Sequence, residues 1–100
     1  QMPAKNLDME KRRNLWLVFK EIVTNSVKHA HCTRLTIDVQ TDKTQLIMNI
    51  ADNGKGFDPA EIKEGNGIKN IYRRCEQLAA RAVLRTAPGQ GTRWQIYIPL

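Results

Sequence analysis

The sequence predicts an α+β domain, a two-layer sandwich with a mixed, mostly antiparallel sheet covered on one face by helices. Three observations carry this. Two long segments repeat apolar residues at helical spacing. Three short segments alternate apolar and polar residues at strand spacing, and turn signals separate the strands. The order is helix, two strands, loop, helix, two strands, so each helix must bury one stripe against strands paired by hairpins. A chain of 100 residues is long enough for one domain with a real core.

The first helix spans residues 9–31, with Asp8 placed to cap it. At about 100° per residue, Leu15, Val18, Phe19, Ile22, Val23, Val27 and Ala30 share one half of the wheel, together with Trp16 and Ser26. Leu35, Ile37 and Val39 then mark one strand and Leu46, Met48 and Ile50 the next, with TDKT (41–44) as the hairpin turn. The second helix starts near Ile68 and presents Ile68, Ile71, Tyr72, Cys75, Leu78, Ala79 and Ala82 on one face. A short strand near 82–86 leads into PGQG (88–91), and the last strand puts Trp94, Ile96 and Ile98 on one side.

Composition excludes several classes. Hydrophobic content of 41% and charged content of 26% are ordinary for a globular domain. No apolar run approaches the roughly 20 residues of a membrane span, and no signal peptide is visible. Gln1 in place of Met is read as the start of a piece cut from a longer protein. Two cysteines, Cys32 and Cys75, are too few for a disulfide framework and are expected to be reduced thiols. A zinc site from His29, His31, Cys32 and Cys75 lacks any supporting CxxC or HxxxH pair. The net charge of +6 is uneven: +4 over residues 1–34, −3 over 35–66 and +5 over 67–100. Such a chain suits an anionic partner. Nucleic acid is not favoured, because no helix-turn-helix or aromatic RNA-binding signature is present.

Four segments remain once the core is assigned. On the first helix Glu21, Asn25, Lys28 and His29 fall within an arc of about 100°, largely apart from the apolar half. An acid, an amide, an ammonium and an imidazole together suit a metal–phosphate site, since carboxylate and amide oxygens are hard ligands for Mg²⁺ and lysine is a mobile charge for phosphate. A plain solvated helix face is the competing reading. ADNGKGFDP (51–59) is more than a turn requires. It lacks the acids of a calcium loop, it is not GxxxxGK[ST], and a hairpin strand precedes it where a dinucleotide fold would need a βαβ unit. Gly54 and Gly56 would let backbone approach a flat ligand, and Asp52 would accept from the exocyclic amine of a base. EGNGIKNI (64–71) puts Gly65 and Gly67 just before a helix, an arrangement that admits an anion. GQGT (89–92) ends in Thr92 and serves equally as a hairpin turn.

In order and spacing, EIVTNSVKHA, ADNGKGFDP, GNGIKNIYRRCEQL and GQGTRWQIYIPL resemble the N, G1, G2 and G3 boxes of the ATP-binding domain of sensor histidine kinases. That domain belongs to the ATPase superfamily shared with gyrase, Hsp90 and MutL. The resemblance covers residues from about 12 to 100 and is nearest to the subgroup with KHA-type N boxes and a short lid. It implies the Bergerat-type fold, with ATP and Mg²⁺ as cofactors. Asn25 matches the Mg²⁺ ligand, and Glu21 the residue one turn earlier that holds metal, through water, or acts as a base. Lys28 matches the phosphate-contacting lysine and His29 a residue packed near ribose or base. Asp52 matches the reader of the adenine amine, and Thr92 the threonine that supports it. Gly54 and Gly56 match the adenine wall. Gly65, Asn66, Gly67 and Ile68 match the lid hinge and the phosphate-facing helix start.

Two departures stand out. The lid between the G1 and G2 boxes is short, and the phenylalanine box of other subgroups is absent. The acceptor histidine of such kinases sits on a separate two-helix dimerisation domain, and neither His29 nor His31 is in place to replace it. The strand that usually precedes the first helix is also missing, leaving QMPAKNLD. The resemblance therefore implies one catalytic domain, residues 1–100, that serves the acceptor domain of a larger sensor kinase and, through it, a response regulator. It further implies a cytoplasmic location without membrane contact, a monomer in isolation and a homodimer at full length. A serine kinase of the anti-sigma-factor type and a nucleotide-binding scaffold without turnover are the alternatives.

Overall fold

The computed structural model describes residues 9–29, 33–58 and 67–100, with the backbone alone at residue 29. Asp8, Ala30, His31, Cys32, Gly65 and Asn66, all singled out from the sequence, lie outside the described residues. The elements run α1 (Met9–His29), β1 (Leu35–Thr41), β2 (Gln45–Asp52), α2 (Ile68–Gln77), β3 (Arg81–Thr86) and β4 (Thr92–Pro99). The strands form one sheet in the order β1-β2-β4-β3, and every neighbouring pair is antiparallel. The expected sandwich is present, with the described sheet antiparallel throughout.

Period-2 patterning explains the sheet's two faces. Leu46, Met48 and Ile50 of β2 meet Ile98, Ile96 and Trp94 of β4 as direct cross-strand partners, and all six are buried. Over them lie Leu15, Val18 and Ile22 of α1 and Ile68, Ile71, Cys75 and Leu78 from α2 and its C-cap. The intervening residues Ala51, Arg93, Gln95, Tyr97, Arg81, Val83 and Arg85 fall on the face away from the helices. The β1–β2 turn is held by the Asp42 carboxylate, which accepts from the Thr44 N–H at 2.8 Å, the Thr44 hydroxyl at 2.9 Å and the Gln45 N–H at 2.9 Å. These bonds, the Thr44 N–H foremost, hold the Asp42 carboxyl below its ordinary 3.8.

The apolar stripes were broader in sequence than in space. Trp16 and Val27 share the apolar half of the α1 wheel yet are 58% and 68% exposed, because among the described residues only α2 and the β2–β4 side of the sheet back onto this helix. Trp16 stacks on Phe19 at 5.7 Å. Ile37 and Val39 face the helix layer from the edge strand β1 and remain exposed for the same reason. α2 stops at Gln77, where Leu78 donates back to the Arg74 and Cys75 carbonyls and Ala79 takes φ 53°. Ala82, at helical spacing in the sequence, is thereby released into β3. Tyr72 is half-exposed, with its ring 5.5 Å from Trp94.

Candidate functional site

The four sequence segments meet at one end of the sandwich, where α1 passes between the end of β2 and the start of α2. Ser26, 4% exposed on α1, donates to Asp52 Oδ2 at 2.7 Å. Asp52 is the last residue of β2, so a helix side chain fixes the carboxylate at the mouth of the glycine loop. The other oxygen, Oδ1, accepts the Gly54 N–H at 2.9 Å, a turn in which the aspartate closes on backbone two residues ahead. Both carboxylate oxygens therefore have donors, one from the helix and one from the loop.

Glu21 stands five residues before Ser26, on the order of 7.5 Å along the helix axis. Its side chain lies against Gly67, the N-cap of α2. A Cβ at residue 67 would overlap the Glu21 carboxylate, 2.5 Å from Oε2 and 2.9 Å from Cγ. Gly67 also adopts φ 82°, so its conformation favours glycine, and a Cβ there would oblige the Glu21 side chain to shift. No side chain caps α2 from this position, and no acid occupies its first turn. α1 thus acts as a ruler that sets Asp52 apart from the N-terminus of α2, with Asn25 between the two contact points. Asn25 and Glu21 are half-buried and Lys28 is exposed.

The third junction joins the two glycine loops. Gly56 has φ 63°, and a Cβ there would overlap the Ala87 carbonyl and approach Gly91 O at 2.8 Å. The room left by its missing side chain is filled by backbone of the 87–91 turn, not by open space for a flat ligand. Gly54 is not in the left-handed region; its part is the N–H given to Asp52. Thr86 ties the loops. Its hydroxyl donates to Gly91 O at 2.8 Å and accepts the Phe57 N–H at 3.1 Å. With that single proton used, the 3.1 Å contact to Thr92 Oγ1 has Thr92 as donor. Thr92 is the direct cross-strand partner of Asp52, yet its hydroxyl proton goes to Thr86, and Asp52 takes its support from Ser26 and Gly54.

Sequence reasoning missed Ser26, Thr86 and Asn53. Asn53 anchors the loop to the start of β1: its Oδ1 accepts the Thr33 and Arg34 N–H groups, and its Nδ2 donates to the Thr33 hydroxyl. Ser26 had a readable signal, a polar residue at a buried phase of the helix wheel, which must find a partner. The same holds for Asn14, 7% exposed, which accepts from Arg74 at 3.3 Å. The side chain of His29, and Gly65 and Asn66, lie outside the described residues. Ile68 is buried, so its side chain faces the core while its backbone sits at the helix start.

The donor chemistry suits a magnesium–nucleotide group. Among the described residues no cluster of His, Cys, Asp and Glu would hold a metal unaided. Mg²⁺ usually takes one or two protein oxygens and completes its shell from phosphates and water, and Asn25 with Glu21 one turn away is a set of that kind. No helix among the described residues is long and apolar enough to cross a membrane.

Helices layered on one face of an antiparallel sheet form an architecture that this chain shares with solved histidine kinase ATP-binding domains. The histidine kinase domain of the Erythrobacter litoralis EL346 blue-light activated histidine kinase superposes with TM-score 0.75 at 25% identity, covering 91% of this chain and 45% of that one. The ATP binding domain of PrrB from Mycobacterium tuberculosis gives TM-score 0.73 at 22% identity over 87% of this chain and 67% of that one, a likeness of fold alone. Residues 10–100 match the family of histidine kinase-, DNA gyrase B-, and HSP90-like ATPases, and the chain belongs to that family. The signal transduction histidine-protein kinase/phosphatase DegS of Brevibacillus brevis is 37% identical over 87 residues, 86% of this chain and 22% of that protein. The sensor protein VraS of Staphylococcus haemolyticus is 30% identical over 88 residues, 87% of this chain. The chain spans 22% and 25% of the lengths of these two relatives. It is the ATPase-type domain of sensor histidine kinases.

Proposed function

We propose that this domain binds ATP with Mg²⁺ and presents the γ-phosphate to a histidine on a separate dimerisation domain, feeding a phosphorelay through a response regulator. The observation that supports this reading most is the placement of one helix, α1, which holds Asp52 through Ser26 and covers Gly67 with Glu21. In this reading Asp52 reads the adenine amine, while Gly54, Gly56 and Thr92 build the wall around it. Asn25 holds Mg²⁺ and Glu21 orients it through water or takes the proton of the incoming histidine. Lys28 and the α2 start, from Gly65 and Asn66 to Gly67 and Ile68, take the phosphates, and His29 packs near the sugar. The bound metal supplies charge neutralisation along the phosphates. The chain supplies positioning, which is most of what phosphoryl transfer asks of a protein. The same reading places the domain on the cytoplasmic side, where ATP is found, as a monomer alone and within a homodimer at full length.

Calorimetric titration with ATP and Mg²⁺ tests the site. Asp52→Asn is expected to weaken binding at least tenfold, and Asn25→Ala to remove its dependence on magnesium. Unchanged affinity in Asp52→Asn would sink the adenine assignment. Mixing with a histidine acceptor domain then separates the kinase classes, since a phosphohistidine product is acid-labile and a phosphoserine product is not.

A further inference from the structure

We propose that Arg85 and Arg93, with the cavity beside them, form a second ligand site, for a small phosphate-bearing molecule, on the sheet face away from the helices. The strongly basic last third of the chain divides in space. Lys69, Arg73 and Arg74 ride on α2, while Arg81, Arg85 and Arg93 stand on the open face of β3 and β4. Several of these cations already have a use. Arg73 donates to Asn70 at 2.6 Å, Arg74 donates to Asn14, and Arg81 lies 4.5 Å over the Tyr97 ring.

Arg85 and Arg93 differ. They are direct cross-strand partners, both exposed, and among the described residues neither guanidinium is in an ion pair or a hydrogen bond. Like charges set directly opposite each other on one sheet face repel. An oxyanion between them reverses the sign of that interaction, and two guanidinium forks match its geometry in a way that ammonium groups do not.

A concavity lies at the same place. A cavity of about 390 Å³ is bordered by Ala51, Arg85, Ala87, Gln90 and Arg93 and by the strand ends at Asp52, Thr86 and Thr92. It is a shallow depression open to solvent, with room for a phosphate group beside the two guanidinium groups. Ala51 and Ala87 keep it clear of bulk, and the Gln90 amide adds a donor. Among the described residues the one acid on its border is Asp52, and it does not neutralise the arginines, because its carboxylate is held on the helix side by Ser26. Alternation confirms the two sides: Ile50 and Trp94 point into the core, so Ala51 and Arg93 point away from it.

The test is a residue-resolved NMR titration of the 100-residue chain with inorganic phosphate and with glycerol phosphate, without magnesium or nucleotide. Ionic strength is held constant with chloride, so that screening does not imitate binding. Saturating shifts are expected at the Arg85 and Arg93 Nε–H groups and the Gln90 side-chain amide, with a millimolar midpoint for phosphate and a tighter one for the ester. Arg85→Gln and Arg93→Gln should each weaken binding at least tenfold, and Arg93→Lys by less. Circular dichroism melts confirm that the variants fold, and the wild-type shift map decides if one does not. Shifts that only track chloride, shifts centred on Gly67–Ile71, survival of binding in the double Gln variant, or a response to an acidic peptide alone would each overturn the proposal. Because no nucleotide is used, the outcome is independent of the ATP reading.

Discussion

Replacing Ser26 with alanine removes one oxygen and its 2.7 Å bond to Asp52 Oδ2 while leaving the helix otherwise intact. A hydrogen bond to a charged acceptor contributes about 1.5–3 kcal/mol. Asp52 is only half-buried, so water can take over part of the lost donation, and the expected destabilisation is about 1–2 kcal/mol. In urea, at a slope of about 2 kcal/mol per molar, the middle of the range for small domains, this is a fall in midpoint of roughly 0.5–1 M with an unchanged slope. For a domain of this size it is also a drop in Tm of roughly 5–15 °C. Circular dichroism reads both. A double-mutant cycle with Asp52→Ala isolates the pair, and the coupling is expected at about 1–2 kcal/mol. A coupling below about 0.3 kcal/mol, the usual additivity error, would show that Ser26 does not hold the carboxylate. Nucleotide affinity gives a second readout: Ser26→Ala should weaken it less than Asp52→Ala, since it loosens the carboxylate without removing it.

Gly67→Ala is expected to destabilise by about 2 kcal/mol through its left-handed φ and its overlap with Glu21. In a Glu21→Ala background the cost should be smaller, as urea titration of the four combinations would reveal. Thr86→Val removes the donor to Gly91 O and the acceptor of Phe57 N–H, and should cost about 2–3 kcal/mol with faster amide exchange at Phe57. Burial pushes the Cys75 thiol up from 9.0 to about 11. The unfolded chain therefore releases this proton first, and stability falls as pH rises from about 9 towards 11. Cys75→Ala should flatten that alkaline limb in pH-dependent melts, and an equal slope in the variant would refute the assignment.

Much of the fold was legible because burial imposes a period. Leu46, Met48 and Ile50, and again Trp94, Ile96 and Ile98, alternate because one sheet face is covered. Ile68, Ile71 and Cys75 recur at helical spacing because one stripe of α2 is covered. The same reasoning overreached at Trp16, Val27, Ile37 and Val39, since a wheel or a strand pattern reports which residues share a face but not how far the neighbouring layer extends. It also carried α2 past its end, because Ala79 and Ala82 continue the helical spacing while the chain turns at Leu78. In the candidate site, Glu21, Asn25, Asp52 and the glycines could be picked out by residue type and spacing. Ser26 and Thr86 could not be given partners, because Asp52 is 26 residues from one and Phe57 is 29 from the other.

By itself, then, the sequence determined the order of elements, the two faces of each and the chemical character of four loops and helix faces. These depend on local spacing and side-chain chemistry, which a linear string records. Only the tertiary structure decided that Ser26 holds Asp52, that Glu21 covers Gly67, that the 87–91 turn fills the space beside Gly56 and that Arg85 faces Arg93. The first three are contacts between segments far apart in the chain, and the fourth is set by the register of the β3–β4 pair. Strand register and helix packing bring them together, and no local spacing encodes that meeting.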